Sequence, residues 1–288
     1  MDQRQRGPQM ESLGDILKRI MKKSKERQMN GPKDNACLEP STADQPACPN
    51  CDGFGFVSNR VPLGHPDFGE VFPCRACRSS EEGQARLQRY ANLPKNLRCS
   101  RFEDFEPREG TEEARQAAQD FAAGTDSPGR QRGLTLCGPV GLGKSTLLTC
   151  IGSEMLAKGY AVKYAFIPEM MDSFRASFSD DSEVTYDELL RAYNAADVLL
   201  LDDITELRAT DFARDALTRL VDQRHREGGL FVATTNLDVD TMAQVWGYRL
   251  ADRLFDMGSD LVRVVHMGGR SYRTGRKWGL PWPGRRRS

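Results

Sequence analysis

The glycine-rich stretch from Gly138 to Thr146 constrains the fold of this chain more than any other feature. It follows the apolar residues 134–137 and leads into Leu147-Leu148, which predicts a strand, a tight loop and a helix start. Such a loop curls backbone N–H groups around phosphate oxygens, its lysine reaches the β- and γ-phosphates, and its serine helps to hold Mg²⁺. The helix N-terminus adds a favourable dipole. We therefore expect ATP and Mg²⁺ to bind at Gly138, Pro139, Val140, Gly141, Leu142, Gly143, Lys144, Ser145 and Thr146.

Two further buried strands are predicted to end in polar residues near this loop. The apolar run 198–203 ends in Asp202 and Asp203, and the run 230–236 ends in Asn236. The carboxyl ends of parallel strands face the ligand in such folds. Asp202 is expected to hold Mg²⁺ through water and Asp203 to be the base that polarises the attacking water, with Glu206 as the alternative base. Asn236 would orient the water or contact the γ-phosphate.

The remaining pattern predicts alternating helices and strands. Strands are expected over residues 161–166 and 261–265, and helices over residues 111–123, 170–178, 186–195, 211–226 and 248–254. Thr185 and Glu188 form a capping-box pattern at the start of the third of these helices. Residues 91–105 are expected to be irregular, with aromatic anchors.

The charge is unevenly distributed although the chain is neutral overall. Residues 1–30 hold eight Lys/Arg against four Asp/Glu, and residues 262–288 hold eight Lys/Arg and no acid. Basic ends are typical of solvated tails, and they also attract phosphate backbones or acidic partners. No run of ~18 apolar residues predicts a membrane span, and the N-terminus lacks a secretory pattern, so we expect a cytoplasmic protein without membrane contact.

Four of the eight cysteines predict a metal module. Cys48, Cys51, Cys74 and Cys77 form two Cys-x-x-Cys pairs with 22 residues between the inner cysteines. Four thiolates at this spacing can close a tetrahedral Zn²⁺ site, because each pair supplies two corners from a tight turn. The spacing leaves open whether the module only stabilises the fold or also contacts nucleic acid or protein.

An amphipathic basic helix is predicted near the N-terminus. One helical face collects Leu13, Ile16, Leu17, Ile20 and Met21, and lysines and arginines flank that face. A flexible linker over residues 28–46 separates the helix from the rest. The apolar face has three possible partners: the protein's own core, a groove on another protein, or a membrane surface.

Five motifs together, in this order and spacing, resemble the DnaC/DnaI type of AAA+ replicative helicase loader, within the IstB/DnaC-like ATPase family. They are the P-loop, the Asp-Asp and Thr-Thr-Asn strand ends, the Arg-Leu-x-x-Arg-Leu helix and the final Ser-Tyr-Arg, and the resemblance covers residues 90–275. It implies an α/β fold: a P-loop AAA+ parallel sheet of order 5-1-4-3-2 flanked by helices, without a C-terminal lid domain and preceded by a small four-cysteine zinc module. Only ~23 residues follow the last strand, too few for a lid or for the helix-turn-helix of the initiator DnaA.

The resemblance also implies roles for single residues. Asn236 would be sensor 1, Arg253 the arginine finger that reaches a neighbouring subunit's ATP, and Arg273 the sensor 2 arginine. Arg249 and Arg270 are the competing choices, because a one-turn shift would exchange them. We expect an N-terminal docking segment (residues 1–36), a zinc module (37–90), an ATPase domain (91–275) and a basic tail (276–288).

The expected function is loading of the replicative helicase onto single-stranded DNA, with ATP binding and hydrolysis as an assembly switch. The N-terminal helix would dock on the helicase and the ATPase domains would self-associate. DNA would lie against the helical insertion between the second and third strands and contact Lys163, Phe174, Arg175, Phe178, Arg191 and Tyr193. The alternatives are an IstB-type transposition helper ATPase and a zinc-ribbon nucleic-acid-binding module with a structural nucleotide.

Overall fold

A computed structural model of the chain describes most of the region from Cys48 to Trp278. The described residues are 48, 50–51, 56–58, 71–74, 76, 81–97, 100–124, 131–179, 182, 184–205, 209–256, 261–275 and 277–278. The predicted N-terminal helix, the linker, Cys77, Glu206 and the end of the basic tail lie outside these residues.

The elements follow the predicted alternation. The helices are α1 (Glu81–Ala91), α2 (Glu112–Ala123), α3 (Lys144–Ala157), α4 (Ile167–Ala176), α5 (Tyr186–Asn194), α6 (Asp211–Glu227), α7 (Val239–Trp246) and α8 (Tyr248–Phe255), with a 3-10 turn at Phe102–Asp104. The strands are β1 (Phe56–Ser58), β2 (Val71–Pro73), β3 (Gly133–Cys137), β4 (Val162–Phe166), β5 (Val198–Ile204), β6 (Leu230–Thr235), β7 (Val262–His266), β8 (Gly269–Arg270) and β9 (Lys277–Trp278).

Five parallel strands form the central sheet in the order β4-β5-β6-β3-β7. Counted from the strand before the P-loop and read from the β7 edge, this is the order 5-1-4-3-2, so the predicted α/β AAA+ sheet is confirmed. Two small antiparallel pairs, β1–β2 and β8–β9, lie outside it.

Both faces of the sheet are covered, which explains why its strands are mostly apolar. Leu134, Leu200 and Val232 pack into one core cluster, whereas Leu199 and Phe231 pack into the other. Neighbouring residues along a strand alternate between the faces, and helices cover both of them. The carboxyl ends of β3, β5 and β6 therefore meet at one edge of a rigid sheet.

Local signals account for several helix ends. Thr185 and Glu188 form the predicted capping box at the start of α5. Helix α4 starts at Ile167, three residues before the prediction, because Pro168 is well tolerated in a first helical turn. It ends at Ala176, which leaves Phe178 outside the helix.

Two helices, α1 and α7, were not predicted from the sequence. Helix α1 carries few apolar residues, but Leu87 and Ala91 are buried in the main core cluster. It spans the predicted limit between zinc module and ATPase domain at residue 90, and these domain limits stay predictions. Helix α7 is only eight residues long, and its Trp246 is buried and donates a hydrogen bond to the Thr205 carbonyl at 3.0 Å.

The described residues after β7 form β8, a turn and β9 rather than helices. No helix within the described part of the chain is long and apolar enough to cross a membrane.

Candidate functional site

The P-loop connects β3 to α3 and is held between two other segments. Gly141 and Gly143 both have φ of +82°, a conformation that favours glycine. A Cβ on Gly141 would collide with the Ser271 hydroxyl oxygen, and one on Gly143 would lie 2.6 Å from the Phe105 ring. The Tyr272 N–H donates to the Gly141 carbonyl at 2.8 Å. The loop therefore needs glycine both for its turns and for close packing.

The other loop residues take the positions that a phosphate cradle requires. Pro139 and Leu142 are buried, Val140 is exposed, and Thr146 is half-buried in the first turn of α3. With Gly138 at its start and the N-terminal N–H groups of α3 at its end, the loop fits an anion at a helix N-terminus.

Lys144 occupies the inside of the loop. Its Nζ donates to the carbonyl oxygens of Gly138 at 2.6 Å and Pro139 at 2.8 Å. Burial lowers the pKa of Lys144 to about 8. These two hydrogen bonds hold the loop closed on the lysine. To bind a phosphate, the ammonium group must exchange the carbonyl oxygens for phosphate oxygens.

Asp202 ends β5 beside the loop and is 4% exposed. One carboxylate oxygen, Oδ1, accepts hydrogen bonds from Ser145 Oγ at 3.0 Å and Thr234 Oγ1 at 2.5 Å. The other, Oδ2, accepts from the Tyr164 hydroxyl at 2.7 Å. All three donors are neutral, so none of them compensates a negative charge on the carboxylate. A hydroxyl and a carboxylate in contact behind a P-loop are ligands suited to Mg²⁺. Tyr164 and Thr234 were not predicted from the sequence. Only their positions on the strands that neighbour β5 could have indicated them.

Asp203 has a different environment from its neighbour. It is exposed and has φ of +65°, and its backbone N–H donates to Thr234 Oγ1 at 2.9 Å. The pairing of β5 with β6 shifts between Leu201 and Ile204, which releases Asp203 from the regular ladder. Burial of part of the carboxyl group, and next the charge of Asp202, raise the pKa of Asp203. A raised carboxyl pKa suits a general base.

Asn236 follows β6 at the same edge of the sheet. Its buried Oδ1 has no hydrogen-bond partner within the described part of the chain. A buried acceptor without a partner costs ~1–3 kcal/mol, and such atoms in native structures call for an explanation. An acceptor at this edge can accept a hydrogen bond from a water molecule, which fits the predicted role of orienting the attacking water.

The candidate arginines lie in two places. Arg273 is exposed in the turn after β8. Burial is the main cause that lowers the pKa of Lys144, and the positive charge of Arg273 adds a smaller effect in the same direction. Its charge also counteracts the raised pKa of Asp203. Arg270 is exposed in β8. Arg249 and Arg253 lie one turn apart on α8, where both form ion pairs with Asp222 of α6.

The described cysteines of the predicted zinc module come together. The sulfur atoms of Cys48, Cys51 and Cys74 lie within 4.8 Å of one another. The Cys51 N–H donates to the Cys48 carbonyl at 3.2 Å, which closes the first knuckle, and β1 and β2 pair immediately before Cys74. Three thiols in this arrangement fit three corners of a tetrahedral Zn²⁺ site. Cys77 lies outside the described residues, and the zinc ion stays a prediction.

The predicted DNA contacts divide into buried and exposed groups. Phe174 is 0% exposed in the second core cluster, so the prediction that it stacks on a base is wrong. Lys163 lies over the Tyr90 ring and donates to the Tyr90 carbonyl at 3.1 Å, and Tyr193 packs against Phe174. These aromatic residues face the core because α4 packs on the sheet and α5 packs against α4 and α6. The three exposed members of the set are Arg175, Phe178 and Arg191.

Comparison with known proteins gives both sequence relatives and structural neighbours. DnaC, the replicative helicase loader of Buchnera aphidicola, is 26% identical over 117 residues, which is 41% of this chain and 48% of DnaC. DnaI, the loader of Bacillus subtilis, is 32% identical over 111 residues, 38% of this chain and 34% of DnaI. An ATP-binding protein of insertion sequence IS1162 from Pseudomonas fluorescens is 28% identical over 139 residues, 48% of this chain and 58% of that protein. The chain spans about half the length of these curated relatives.

A solved structure of DnaI has the same fold as the ATPase region. It superposes with a TM-score of 0.53 at 21% identity and covers 65% of this chain and 98% of the solved chain. The family model described as IstB-like ATP binding protein matches residues 74–278. This match includes the P-loop, Asp202, Asn236 and α8, and it confirms the predicted class of P-loop AAA+ ATPases. Since it extends over more than half of the sequence, the chain belongs to the family of IstB-like ATP binding proteins.

Proposed function

We propose that this protein is an ATP-dependent loader of the replicative DNA helicase onto single-stranded DNA, in which ATP binding and hydrolysis act as an assembly switch. One observation carries this proposal. The ATP site collects Lys144, Ser145 and Asp202 at one edge of the sheet, whereas Arg249 and Arg253 are held on α8 by an acid of their own subunit. In this proposal a second subunit supplies the arginine that completes the site, so turnover depends on assembly. The relatives DnaC and DnaI are named replicative helicase loaders, which supports the same role for this chain.

Within one subunit, the described residues divide the work of hydrolysis. The loop N–H groups and Lys144 bind the phosphates, and Ser145 and Asp202 hold Mg²⁺, which neutralises charge on the phosphoryl group. Asp203 accepts the proton of the attacking water, and Asn236 orients this water through Oδ1, which has no hydrogen-bond partner among the described residues. Arg273 supplies positive charge beside the loop. Tyr164 and Thr234 keep the Asp202 carboxylate in place.

Arg253 is proposed to reach the ATP of a neighbouring subunit. Its side chain is 39% exposed and lies near the surface of α8, so it can be presented to a second copy. A trans-acting arginine of this type raises turnover by ~10³–10⁵ in related phosphoryl-transfer enzymes. Self-association of the ATPase domains follows from this assignment.

Single-stranded DNA is proposed to bind an aromatic surface formed by Phe178, Tyr186 and Phe212. Phe178 is 64% exposed, stacks on Tyr186 with ring centres 5.6 Å apart, and meets the edge of Phe212 at 5.7 Å. The guanidinium groups of Arg175 and Arg219 flank it, and Arg219 lies 5.8 Å from the Tyr186 ring centre. Base stacking on such rings contributes ~1–3 kcal/mol per base, and nearby arginines can contact the phosphates.

The remaining parts of the proposal concern regions outside or at the border of the described residues. The N-terminal helix is proposed to dock on the helicase, and the cysteine module to bind Zn²⁺. Three described thiols already lie within 4.8 Å of one another, which supports the metal assignment. A cytoplasmic location goes with the loader role.

A transposition helper ATPase is the second candidate. It is favoured by the relative from insertion sequence IS1162, which matches 48% of this chain. The ATP site would serve either role, and the two differ in the partner protein. A zinc-binding module with a purely structural nucleotide is the third, and an absence of ATP turnover with DNA and helicase present would favour it.

Co-purification with a replicative helicase tests the loader role. The full chain with ATP is expected to form a stable complex, and a variant that lacks residues 1–30 is expected to lose it while keeping ATP binding. A transposase serves as the parallel bait. Retention by the transposase but not by the helicase would overturn the loader assignment, and a helicase complex with the truncated variant would overturn the docking helix.

A further inference from the structure

Asp222 lies on α6 and its side chain is 9% exposed, yet it faces two arginines of α8 at once. Its Oδ2 forms an ion pair with Nε of Arg249 at 2.5 Å, and its Oδ1 accepts a hydrogen bond from Nε of Arg253 at 3.1 Å. Arg249 and Arg253 are one helical turn apart, so both guanidinium groups reach the same carboxylate. Two cations share one nearly buried anion.

This arrangement has a direct electrostatic consequence. A buried carboxylate is costly without a cationic partner, whereas one arginine is enough to compensate its charge. The second arginine is therefore not needed for charge compensation. When it leaves, Asp222 still has one cationic partner. A single Asp–Arg pair at this position would have no such freedom.

The two arginines differ in their surroundings. Arg249 is 71% exposed, and Asp222 is the one ion-pair partner it has among the described residues. Arg253 is 39% exposed and also contacts Asp252 at 3.0 Å. The nearly buried Asp222 thus holds the Arg253 guanidinium within its own subunit, and the exposed Asp252 adds a contact that contributes little. Arg249 contacts the same Asp222 while it stays largely exposed.

The backbone under these side chains is fixed. A ring nitrogen of His225, one turn after Asp222 on α6, lies 3.0 Å from the Arg253 carbonyl oxygen, and the His225 ring packs on Phe231 of the sheet. Helix α8 is also packed through buried Leu250 and Leu254. A change of partner at Arg253 therefore requires movement of its side chain alone.

We propose that Asp222 is a positioning residue that stores the trans-acting arginine. It holds Arg253 within its own subunit until a second copy of this chain presents a nucleotide phosphate, and Arg249 stays behind to neutralise Asp222 when Arg253 leaves. The inference rests on the proposed assembly function and adds its regulation. The carboxylate and the phosphate compete for the same guanidinium group, so the strength of the Asp222 contact sets the protein concentration at which subunits assemble.

Self-association of the full chain, measured by sedimentation with a non-hydrolysable ATP analogue, tests this inference. Asp222→Asn keeps the size of the side chain but removes the competing charge, so half-maximal assembly is expected at about tenfold lower protein concentration. Arg249→Gln leaves Arg253 as the sole partner of Asp222, so assembly is expected to need about tenfold more protein. The double variant Asp222→Asn/Arg249→Gln is expected to assemble at least as well as the wild type.

A matched control comes from the second acid that contacts Arg253. Asp252→Asn removes an exposed ion pair on the same helix, and exposed pairs contribute little, so assembly is expected to change less than about twofold. Asp222→Glu retains the charge and is expected to return assembly towards the wild-type concentration. ATP turnover per subunit as a function of protein concentration serves as the second readout and is expected to shift in parallel.

The outcomes separate this inference from the assembly function itself. If Asp222 served structure alone, Asp222→Asn would leave assembly unchanged or weaker, and this result would overturn the inference. A double variant that fails to assemble would make Arg249 the trans-acting arginine and would also overturn it. If the wild type does not assemble with the analogue at any concentration, the proposed assembly switch fails, and the arginine store fails with it.

Discussion

Two buried carboxylates in the same domain show how surroundings determine what an acidic residue does. Asp202, at the P-loop, accepts from the hydroxyl groups of Ser145, Thr234 and Tyr164. Asp222, on α6, forms ion pairs with the guanidinium groups of Arg249 and Arg253. Neutral donors orient a carboxylate without cancelling its charge, whereas arginines cancel the charge and are themselves held.

Because of this difference, Asp202 can bind an added cation, whereas Asp222 already holds the cationic side chains of two arginines. Within the described part of the chain, no lysine or arginine forms an ion pair with Asp202, so its negative charge stays available to a divalent metal ion. The negative charge of Asp222 is already compensated by Arg249 and Arg253. We therefore propose that the same side chain, about equally buried, binds Mg²⁺ in one place and holds an arginine in the other.

Neutralising Asp202 should have the largest effect. Asp202→Asn keeps the size of the side chain but removes the charge that holds Mg²⁺, so ATP turnover is expected to fall by about 10³-fold, which corresponds to ~4 kcal/mol of transition-state stabilisation. Turnover at saturating Mg²⁺ and saturating protein measures this. The same substitution at Asp222 is expected to leave turnover within about threefold under those conditions, because all arginines are then engaged. Equal losses at both positions would contradict the distinction.

The ATP affinity is expected to fall at alkaline pH because of Lys144. Burial lowers its pKa to about 8 in the free protein, so the ammonium group is charged below that pH and loses its proton above it. Phosphate binding requires the charged form, and the apparent affinity should therefore be about tenfold weaker at pH 9 than at pH 7. Titration with a fluorescent ATP analogue measures this change. Lys144→Arg keeps its charge over the whole range and should show a flat profile, whereas a pH-independent wild type would contradict the assignment.

Removing one neutral donor from Asp202 should have a smaller effect. Tyr164→Phe deletes the hydroxyl that donates to Oδ2 at 2.7 Å and leaves the buried ring in place. Loss of one hydrogen bond of ~1 kcal/mol is expected to lower ATP turnover by about fivefold and to raise the Mg²⁺ concentration needed. Tyr160→Phe, in which a partly buried tyrosine outside this network loses its hydroxyl, is the matched control and should change neither. An unchanged Mg²⁺ requirement in Tyr164→Phe would remove Tyr164 from the site.

The smallest of these effects should be on stability, where Asp202→Asn and Asp222→Asn are expected to shift the melting temperature in opposite directions. Asp202→Asn removes a buried charge without a cationic partner, so the melting temperature is expected to rise by about 2–4 °C. Asp222→Asn removes the partner of two arginines that are partly exposed, so a decrease of similar size is expected. Differential scanning calorimetry without nucleotide measures both. Shifts in the same direction would mean that the surroundings of the two carboxylates do not differ as described.

The sequence predicted the chemistry that lies in continuous motifs. The P-loop, the Asp202-Asp203 strand end and Asn236 could be recognised because buried parallel strands are apolar runs whose polar ends point to the ligand edge. The sheet order followed from the family resemblance and is confirmed. The capping box of α5 was also correct, because it is local chemistry.

Contacts between distant segments could not be recognised in the same way. Asp222 lies 31 residues before Arg253 in a helix that looked like an ordinary charged surface, and its burial depends on how α6 packs against α8. Tyr164 and Thr234 meet Asp202 only through strand register. Phe174 was assigned to DNA because its periodic pattern is the same for a core face and for an exposed aromatic face, and tertiary packing decided between them.

A mixing experiment tests the central claim, that the ATP site is completed by a second subunit, most directly. Asp202→Asn lacks a working site of its own but keeps Arg253, whereas Arg253→Ala keeps the site but lacks the trans-acting arginine. Each variant alone is expected to be nearly inactive, and an equimolar mixture is expected to recover a substantial part of the wild-type ATP turnover. A mixture that stays as inactive as its components, at protein concentrations where both variants assemble, would contradict the account.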